Sequence, residues 1–136
     1  MVDYQKLAAL AVKAKERAYA PYSGFHVGAV LLCSNGVEYI GCNIESAAYP
    51  ATICAERTAL VKAVSEGARS FRAVAVAGGK PNANTDYCYP CGVCRQMLHE
   101  FAGDDFEVII AKSETDYRVH KWEEILPHGF GPKDLQ

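Results

Sequence analysis

Three cysteines and one glutamate have the residue types and spacing for metal chemistry. Cys54 and Glu56 lie two positions apart in "TICAERTAL" (residues 52–60), where a helix is expected to begin. In "YPCGVCRQ", Cys91 and Cys94 are three positions apart, so on a helix their side chains share a face and can bind one ion. Three protein ligands plus a water are typical of catalytic zinc, whereas structural zinc sites have four ligands. The pattern predicts one zinc ion per chain.

Glu56 has the chemistry of a proton carrier. Its position two residues after a ligand would hold the carboxylate near the fourth coordination position of the zinc. There it could take a proton from the water bound to the ion and pass it on. A glutamate in the first turn of a helix also compensates the helix dipole, but the neighbouring cysteines favour the catalytic interpretation. Arg57 could donate to a thiolate sulfur and offset the negative charge of the ligands, or be a solvated helix charge.

Cys88 leaves an alternative open. The sequence "CYPC" puts it three positions before Cys91. It could be the fourth ligand of a structural zinc site in an interaction module, or lie in the loop without binding the metal. We favour the second interpretation, because a closed site would leave Glu56 without a function. The four histidines lie in no ligand-spaced motif; they are His26, His99, His120 and His128.

Composition restricts the class of protein. The chain has 136 residues, half of them hydrophobic and 22% charged, which predicts one globular domain over residues 1–136. The formal net charge of −2 argues against nucleic-acid binding and favours a small substrate. No segment is long enough to span a membrane and the N-terminus does not fit a signal peptide, so we expect a cytoplasmic protein. Thiols stay reduced there, which argues against a disulfide scaffold.

The predicted elements follow the order α-β-β-α-β-α-β-β-α. Asn35-Gly36 indicates an antiparallel hairpin, and the strand–helix–strand units imply parallel crossovers. We predict an α/β fold: a three-layer α/β/α sandwich with a mixed five-stranded sheet. The N-termini of the second and third helices would lie side by side at one edge of the sheet, where open sheets bind ligands. The first helix is predicted to end before Pro21. The predicted strands are residues 25–33, 37–42, 71–79, 106–111 and 116–120, and the later helices are residues 54–67, 91–101 and 121–126.

The combination of "CAE" with "PCGVC" resembles the zinc-dependent cytidine deaminase family. A cysteine as the first ligand is similar to the short, tetrameric nucleoside deaminases, since the tRNA, dCMP and polynucleotide deaminases usually have histidine there. The stretches "AYAPYSGFHVGAVLL", "GCNIESAAYP" and "ILPHGFGP" resemble the same family, so the likeness covers almost the whole chain. It implies the family's deaminase fold.

The resemblance implies hydrolytic deamination of cytidine and deoxycytidine to uridine and deoxyuridine, with release of ammonia, in pyrimidine salvage. Glu56 would deprotonate the zinc-bound water, protonate N3 of the pyrimidine and deliver a proton to the leaving amine. A deaminase for another aminopyrimidine, such as a nucleoside antibiotic of the blasticidin type, is the alternative substrate class.

The resemblance also implies contacts to the nucleoside. Asn43 and Glu45 would hydrogen-bond the ribose 3′-hydroxyl. Phe25 would pack on the pyrimidine ring, and the N–H of Ala55 would contact the pyrimidine carbonyl.

Two aromatic residues would act between subunits by the same resemblance. Tyr49 and Phe130 would line a neighbouring subunit's site in a homotetramer. One departure from the family is Tyr89, which precedes Pro90 where the family often has a small polar residue. The loop over residues 78–89 is also somewhat long for the family.

Overall fold

A computed structural model describes residues 1–81 and 86–136. The predicted order of elements is confirmed. Part of the loop predicted to be long, residues 82–85, lies outside the described residues. The helices and strands are α1 (Tyr4–Ala14), β1 (His26–Cys33), β2 (Glu38–Cys42), α2 (Ala55–Ser65), β3 (Phe71–Gly79), α3 (Gly92–His99), β4 (Ala102–Ala111), β5 (Tyr117–Lys121) and α4 (Trp122–Ile125).

The five strands form one mixed sheet in the order β2-β1-β3-β4-β5. The β1–β2 hairpin is antiparallel, as the Asn35-Gly36 turn predicts. β3 and β4 are parallel and are joined through α3, whereas β1–β3 and β4–β5 pair antiparallel. The mixed sheet predicted from the sequence is therefore confirmed.

Helices cover both faces of the sheet and make three layers. On one face, α1 buries Leu7, Ala8 and Ala11 against alternate residues of the central strands, namely Val30, Ala73, Ala75, Ala77 and Ile109. On the other face, α2, α3 and α4 bury Leu60, Leu98 and Trp122 against Leu31, Val74, Val76, Val108 and Ile110. The period of two along each strand produces this division, because successive side chains point to opposite faces.

The start of β4 differs from the prediction. The sequence predicted a helix over 91–101 and a strand that begins at residue 106. β4 instead begins at Ala102, which pairs with Phe71 of β3. The register between the two strands shifts before Ala73. Pairing with β3 thus extends the strand through residues whose own sequence has no strand pattern.

A close approach between β2 and α2 sets the position of the second helix. A Cβ atom on Gly41 would lie 2.5 Å from both the carbonyl oxygen of Ala55 and the amide nitrogen of Ala59. Only a glycine allows the helix backbone to lie so near the strand. The segment between them is held by bridges that pair Ile44 with Tyr19 and with Ile53. As a result the first turn of α2 lies against the sheet.

Within the described residues, no helix combines the length and the apolar character that crossing a membrane requires.

Candidate active site

Three cysteine sulfurs meet where α2 and α3 begin. Cys54 is the N-cap residue of α2 and Cys91 is the N-cap residue of α3. Cys94 lies one turn into α3 and is fully buried. The sulfur atoms of the three residues all lie within 4.8 Å of one another. The fold thus brings Cys54 next to Cys91 and Cys94, which lie 37 and 40 positions further along the chain, as the predicted zinc site requires.

The geometry of the three sulfurs fits zinc. The Sγ atoms of Cys54 and Cys91 are 3.8 Å apart. Two thiolates bound tetrahedrally to zinc at about 2.3 Å would be separated by about 3.8 Å. The donor set is soft, and thiolate sulfur is the ligand type that selects zinc over calcium or magnesium. These residues could therefore hold a zinc ion with one position left for another ligand.

Cys88 lies outside this set of donors. Among the described residues, the group able to hold an ion contains Cys54, Cys91 and Cys94 alone. Burial raises the pKa of the Cys88 thiol to about 11. The absence of Cys88 from the cluster favours an open, three-cysteine site over the closed structural site.

Hydrogen bonds stabilise negative charge on the sulfurs. The amide N–H of Cys94 donates to the Cys91 sulfur at 3.5 Å, and the Nη2 of Arg57 lies 3.6 Å from the Cys54 sulfur. The pKa of Cys54 is lowered to about 5, chiefly by a hydrogen bond from the Cys94 thiol, with further contributions from Arg57 and Cys91. The shared proton raises the pKa of Cys94. Two helix N-termini and one guanidinium thus favour thiolate ligands here.

Glu56 lies in the first turn of α2 and is 3% exposed. Burial raises its pKa to about 7, and the nearby Cys54 adds to that shift. Its own backbone N–H donates to the carboxylate and opposes the shift. A buried carboxyl of this kind is common for a group that transfers protons and rare for a surface helix charge.

A cavity of about 270 Å³ opens beside the thiol cluster. Its wall brings together Cys54, Cys91 and Glu56 with residues from other segments of the chain. They include Ser23, Phe25, Asn43, Glu45 and Cys88. The volume and the mixture of an aromatic ring with a few polar groups fit a small molecule.

Asn43 and Glu45 are both held in place by the chain around them. The Asn43 side chain accepts from the N–H of Val27 at 2.9 Å and donates to the carbonyl of Phe25 at 2.8 Å. One N–H of its amide remains for another acceptor. The Glu45 carboxylate accepts from the N–H of Tyr22 at 3.0 Å. Both residues therefore present fixed polar atoms to the cavity.

Three residues expected at the substrate do not line this cavity. Tyr49 and Phe130 are 71% and 59% exposed. Ala55 is buried at the first position of α2, where its N–H is among those left without an acceptor within the helix.

Two features of the site escaped the sequence analysis. Ser23 was not among the candidate site residues, yet it lines the cavity and its hydroxyl donates to Glu45. The Tyr89 side chain is hydrogen-bonded to β5, since its hydroxyl lies 2.9 Å from the Nε2 of His120. The available signal for Ser23 was its position two residues before Phe25, whereas its other partner, Glu45, lies 22 positions further along the chain.

A larger groove of about 960 Å³ lies elsewhere, beside β4, α4 and the C-terminal segment. It includes charged residues of both signs, such as Arg72, Glu107 and Lys133. None of the three clustered cysteines lines it. Cys54, Cys91 and Glu56 line the smaller cavity instead, so that cavity is the candidate active site.

The model of the cytidine and deoxycytidylate deaminase zinc-binding region matches residues 1–111 of this chain. This chain belongs to that family. The resemblance predicted from the sequence is confirmed, and with it the zinc cofactor that the thiol cluster fits.

Similar proteins cover nearly the full length of the chain. A cytidine deaminase of Sporosarcina psychrophila is 45% identical over 134 residues, which is 98% of this chain and 96% of the relative. A probable cytidine deaminase of Dictyostelium discoideum is 40% identical over 98% of this chain and 87% of its own. The crystal structure of a cytidine deaminase from Burkholderia pseudomallei superposes with a TM-score of 0.84 at 40% identity and covers 96% of this chain and 100% of its own. These likenesses confirm the fold class within the deaminase family.

Proposed function

We propose that this protein catalyses the hydrolytic deamination of cytidine and deoxycytidine to uridine and deoxyuridine, with release of ammonia. The observation that carries the proposal is that a buried Glu56 lines a small cavity together with Cys54 and Cys91, two members of the cluster of three thiols. Water is the second substrate. The C4–N4 bond of the base breaks and a C4–O bond forms.

Cys54, Cys91 and Cys94 would hold the zinc ion, which would act as a Lewis acid and make water a nucleophile near neutral pH. Arg57 supports this ligand set, because its guanidinium contacts Cys54 and the carbonyl of Thr52. Three thiolates on one divalent cation leave a net negative charge, and a fixed positive charge beside them offsets part of it.

Glu56 moves two protons in sequence. It takes the first from water and gives it to N3 of the pyrimidine while the water oxygen bonds to C4. It takes the second from the hydroxyl group on C4 and gives it to the amino group, which leaves as ammonia. One carboxylate can serve as base and then as acid because each transfer restores its starting state.

The remaining cavity residues bind and orient the nucleoside. Phe25 packs on the pyrimidine ring and the Ala55 N–H binds its carbonyl oxygen, since the N-terminus of α2 has free donors. Asn43 and Glu45 hold the ribose 3′-hydroxyl, one as donor and the other as acceptor. A hydroxyl both donates and accepts, so this pair matches it.

Assembly is inferred from the exposed aromatic residues. We infer a homotetramer in which Tyr49 and Phe130 of one subunit line the site of another, since both are exposed and neither lines its own cavity. The chain as one domain, a role in pyrimidine salvage and a cytoplasmic location belong to the same proposal. All six cysteines are free, as a reducing compartment would require.

The test is turnover by purified, zinc-loaded protein. Cytidine, deoxycytidine and a blasticidin-type nucleoside are supplied separately, and ultraviolet absorbance and ammonia are followed with and without a zinc chelator. Turnover of cytidine and deoxycytidine that the chelator abolishes is expected. One zinc per chain with no turnover of either would contradict the proposal, and turnover of the antibiotic alone would change its substrate.

A further inference from the structure

The Ser23 side chain connects two parts of the cavity wall. Its hydroxyl donates to the Oε2 atom of Glu45 at 2.5 Å. The Oγ of Ser23 in turn accepts a hydrogen bond from the N–H of Phe25 at 3.0 Å. A single hydroxyl thus links a polar residue of the cavity to the backbone that carries the aromatic ring.

The backbone of the same turn binds the other oxygen of the carboxylate. The N–H groups of Tyr22 and Ser23 donate to the Oε1 of Glu45 at 3.0 and 3.1 Å. The Ser23 hydroxyl is the largest cause of the lowered pKa of Glu45, so the group stays ionised as an acceptor.

Counting acceptor sites shows what is left for a ligand. A carboxylate has about four lone-pair sites, of which the Tyr22–Ser23 turn uses two on Oε1 and one on Oε2. The free site is therefore on Oε2, the atom that the Ser23 hydroxyl fixes. If that hydroxyl were absent, the Oε1 bonds would remain, but rotation about the terminal torsion of Glu45 would become easier.

We propose that Ser23 is a positioning residue for sugar recognition, whose hydroxyl aims the free acceptor site of Glu45 at the nucleoside 3′-hydroxyl. This inference rests on the proposed function. Ser23 touches neither the base nor the reacting atoms; it acts through Glu45.

The experiment compares two substrates that differ in one group. kcat and KM are measured for cytidine and for 3′-deoxycytidine with wild-type protein and with Ser23→Ala. Ser23→Ala is expected to lower kcat/KM for cytidine about ten-fold, mainly through KM, which is the effect of one lost charge-assisted hydrogen bond. For 3′-deoxycytidine the loss is expected to be less than about two-fold, because no sugar hydroxyl is present for Glu45 to bind.

Matched variants separate this effect from a general defect. Ser23→Thr keeps the hydroxyl and should retain the wild-type ratio between the two substrates. Ser34→Ala removes another turn hydroxyl, which lies 2.7 Å from the Ser70 hydroxyl, and should change neither rate. In a Glu45→Ala background, Ser23→Ala should have no further selective effect on cytidine. Ser23→Gly replaces Ser23→Ala if the latter does not fold, as judged by thermal unfolding.

Equal losses on both substrates with an active wild-type protein would overturn the inference while leaving the proposed function intact. A wild-type protein that does not deaminate cytidine would overturn the proposed function first, and this inference with it.

Discussion

At the scale of single residues, the cysteines around the cavity differ in whether they belong to the group that can bind a metal ion. Cys54 and Cys91 are the N-cap residues of α2 and α3 and their sulfurs accept hydrogen bonds, and Cys94 lies one turn further into α3. Cys88 shares the cavity wall, yet it is outside the donor cluster. Proximity in sequence to a ligand is thus insufficient to make a cysteine a ligand.

Zinc content distinguishes these cysteines. We expect one zinc per chain for the wild-type protein and for Cys88→Ala, but well below one for Cys94→Ala, since two thiolates cannot hold the ion against a chelator. Metal analysis of dialysed protein measures this. Cys33→Ala, a buried cysteine in the core away from the cluster, is the matched control and should keep its zinc. Loss of zinc from Cys88→Ala would instead support the four-ligand site.

Residue type and spacing made the pair Cys91 and Cys94 predictable, because one helical turn brings i and i+3 together without help from the rest of the fold. Cys54 reaches them only because the starts of α2 and α3 lie side by side. Ser23 could not be predicted in this way. Its partner Glu45 lies 22 positions away, and only the path of the β1–β2 hairpin brings them together.

At the scale of elements, the site depends on how closely α2 lies against the sheet. Gly41 permits the contact between β2 and the first turns of α2, the turns that carry Ala55 and Glu56. The sequence predicted both β2 and α2. The close contact between them depends on the three-dimensional fold, and the hydrophobic pattern of neither element indicates it. The early start of β4 was missed for the same reason, since it depends on pairing with Phe71.

Gly41→Ala should therefore damage the site from a distance. The added methyl group must displace helix backbone, so we expect a loss of about 1–3 kcal/mol in the free energy of unfolding and a fall in kcat. Denaturant unfolding and cytidine turnover measure the two effects. In Gly103→Ala, where the added Cβ meets only Asp105 at an ordinary 3.6 Å, both should stay close to wild type. Equal behaviour of the two variants would contradict this account of α2.

At the scale of the whole molecule, one exposed face has the character of an interface. Val93 and Met97 of α3 are exposed apolar residues, and Gln96 between them donates to the carbonyl of Phe130 at 2.7 Å. This hydrogen bond attaches the C-terminal segment to α3. Exposed apolar residues grouped in this way are typical of protein–protein contacts.

Met97→Lys should weaken the proposed homotetramer, because a buried charge at an apolar interface has no partner. Sedimentation equilibrium is expected to give four times the chain mass for the wild-type protein and a smaller assembly for the variant. Val37→Lys, which places the same charge on an exposed apolar residue next to the β1–β2 turn, serves as control and should keep the wild-type mass. A wild-type monomer would contradict the proposed assembly.

The most direct test of the account is the rate of ammonia release from cytidine by zinc-loaded Glu56→Gln. This substitution keeps the size of the side chain and removes its ability to carry protons. We predict one zinc per chain, a wild-type fold by circular dichroism, and kcat lowered by about 10²–10⁴. A zinc-loaded Glu56→Gln protein that turns over cytidine at close to the wild-type rate would contradict the assignment of Glu56 as the proton carrier.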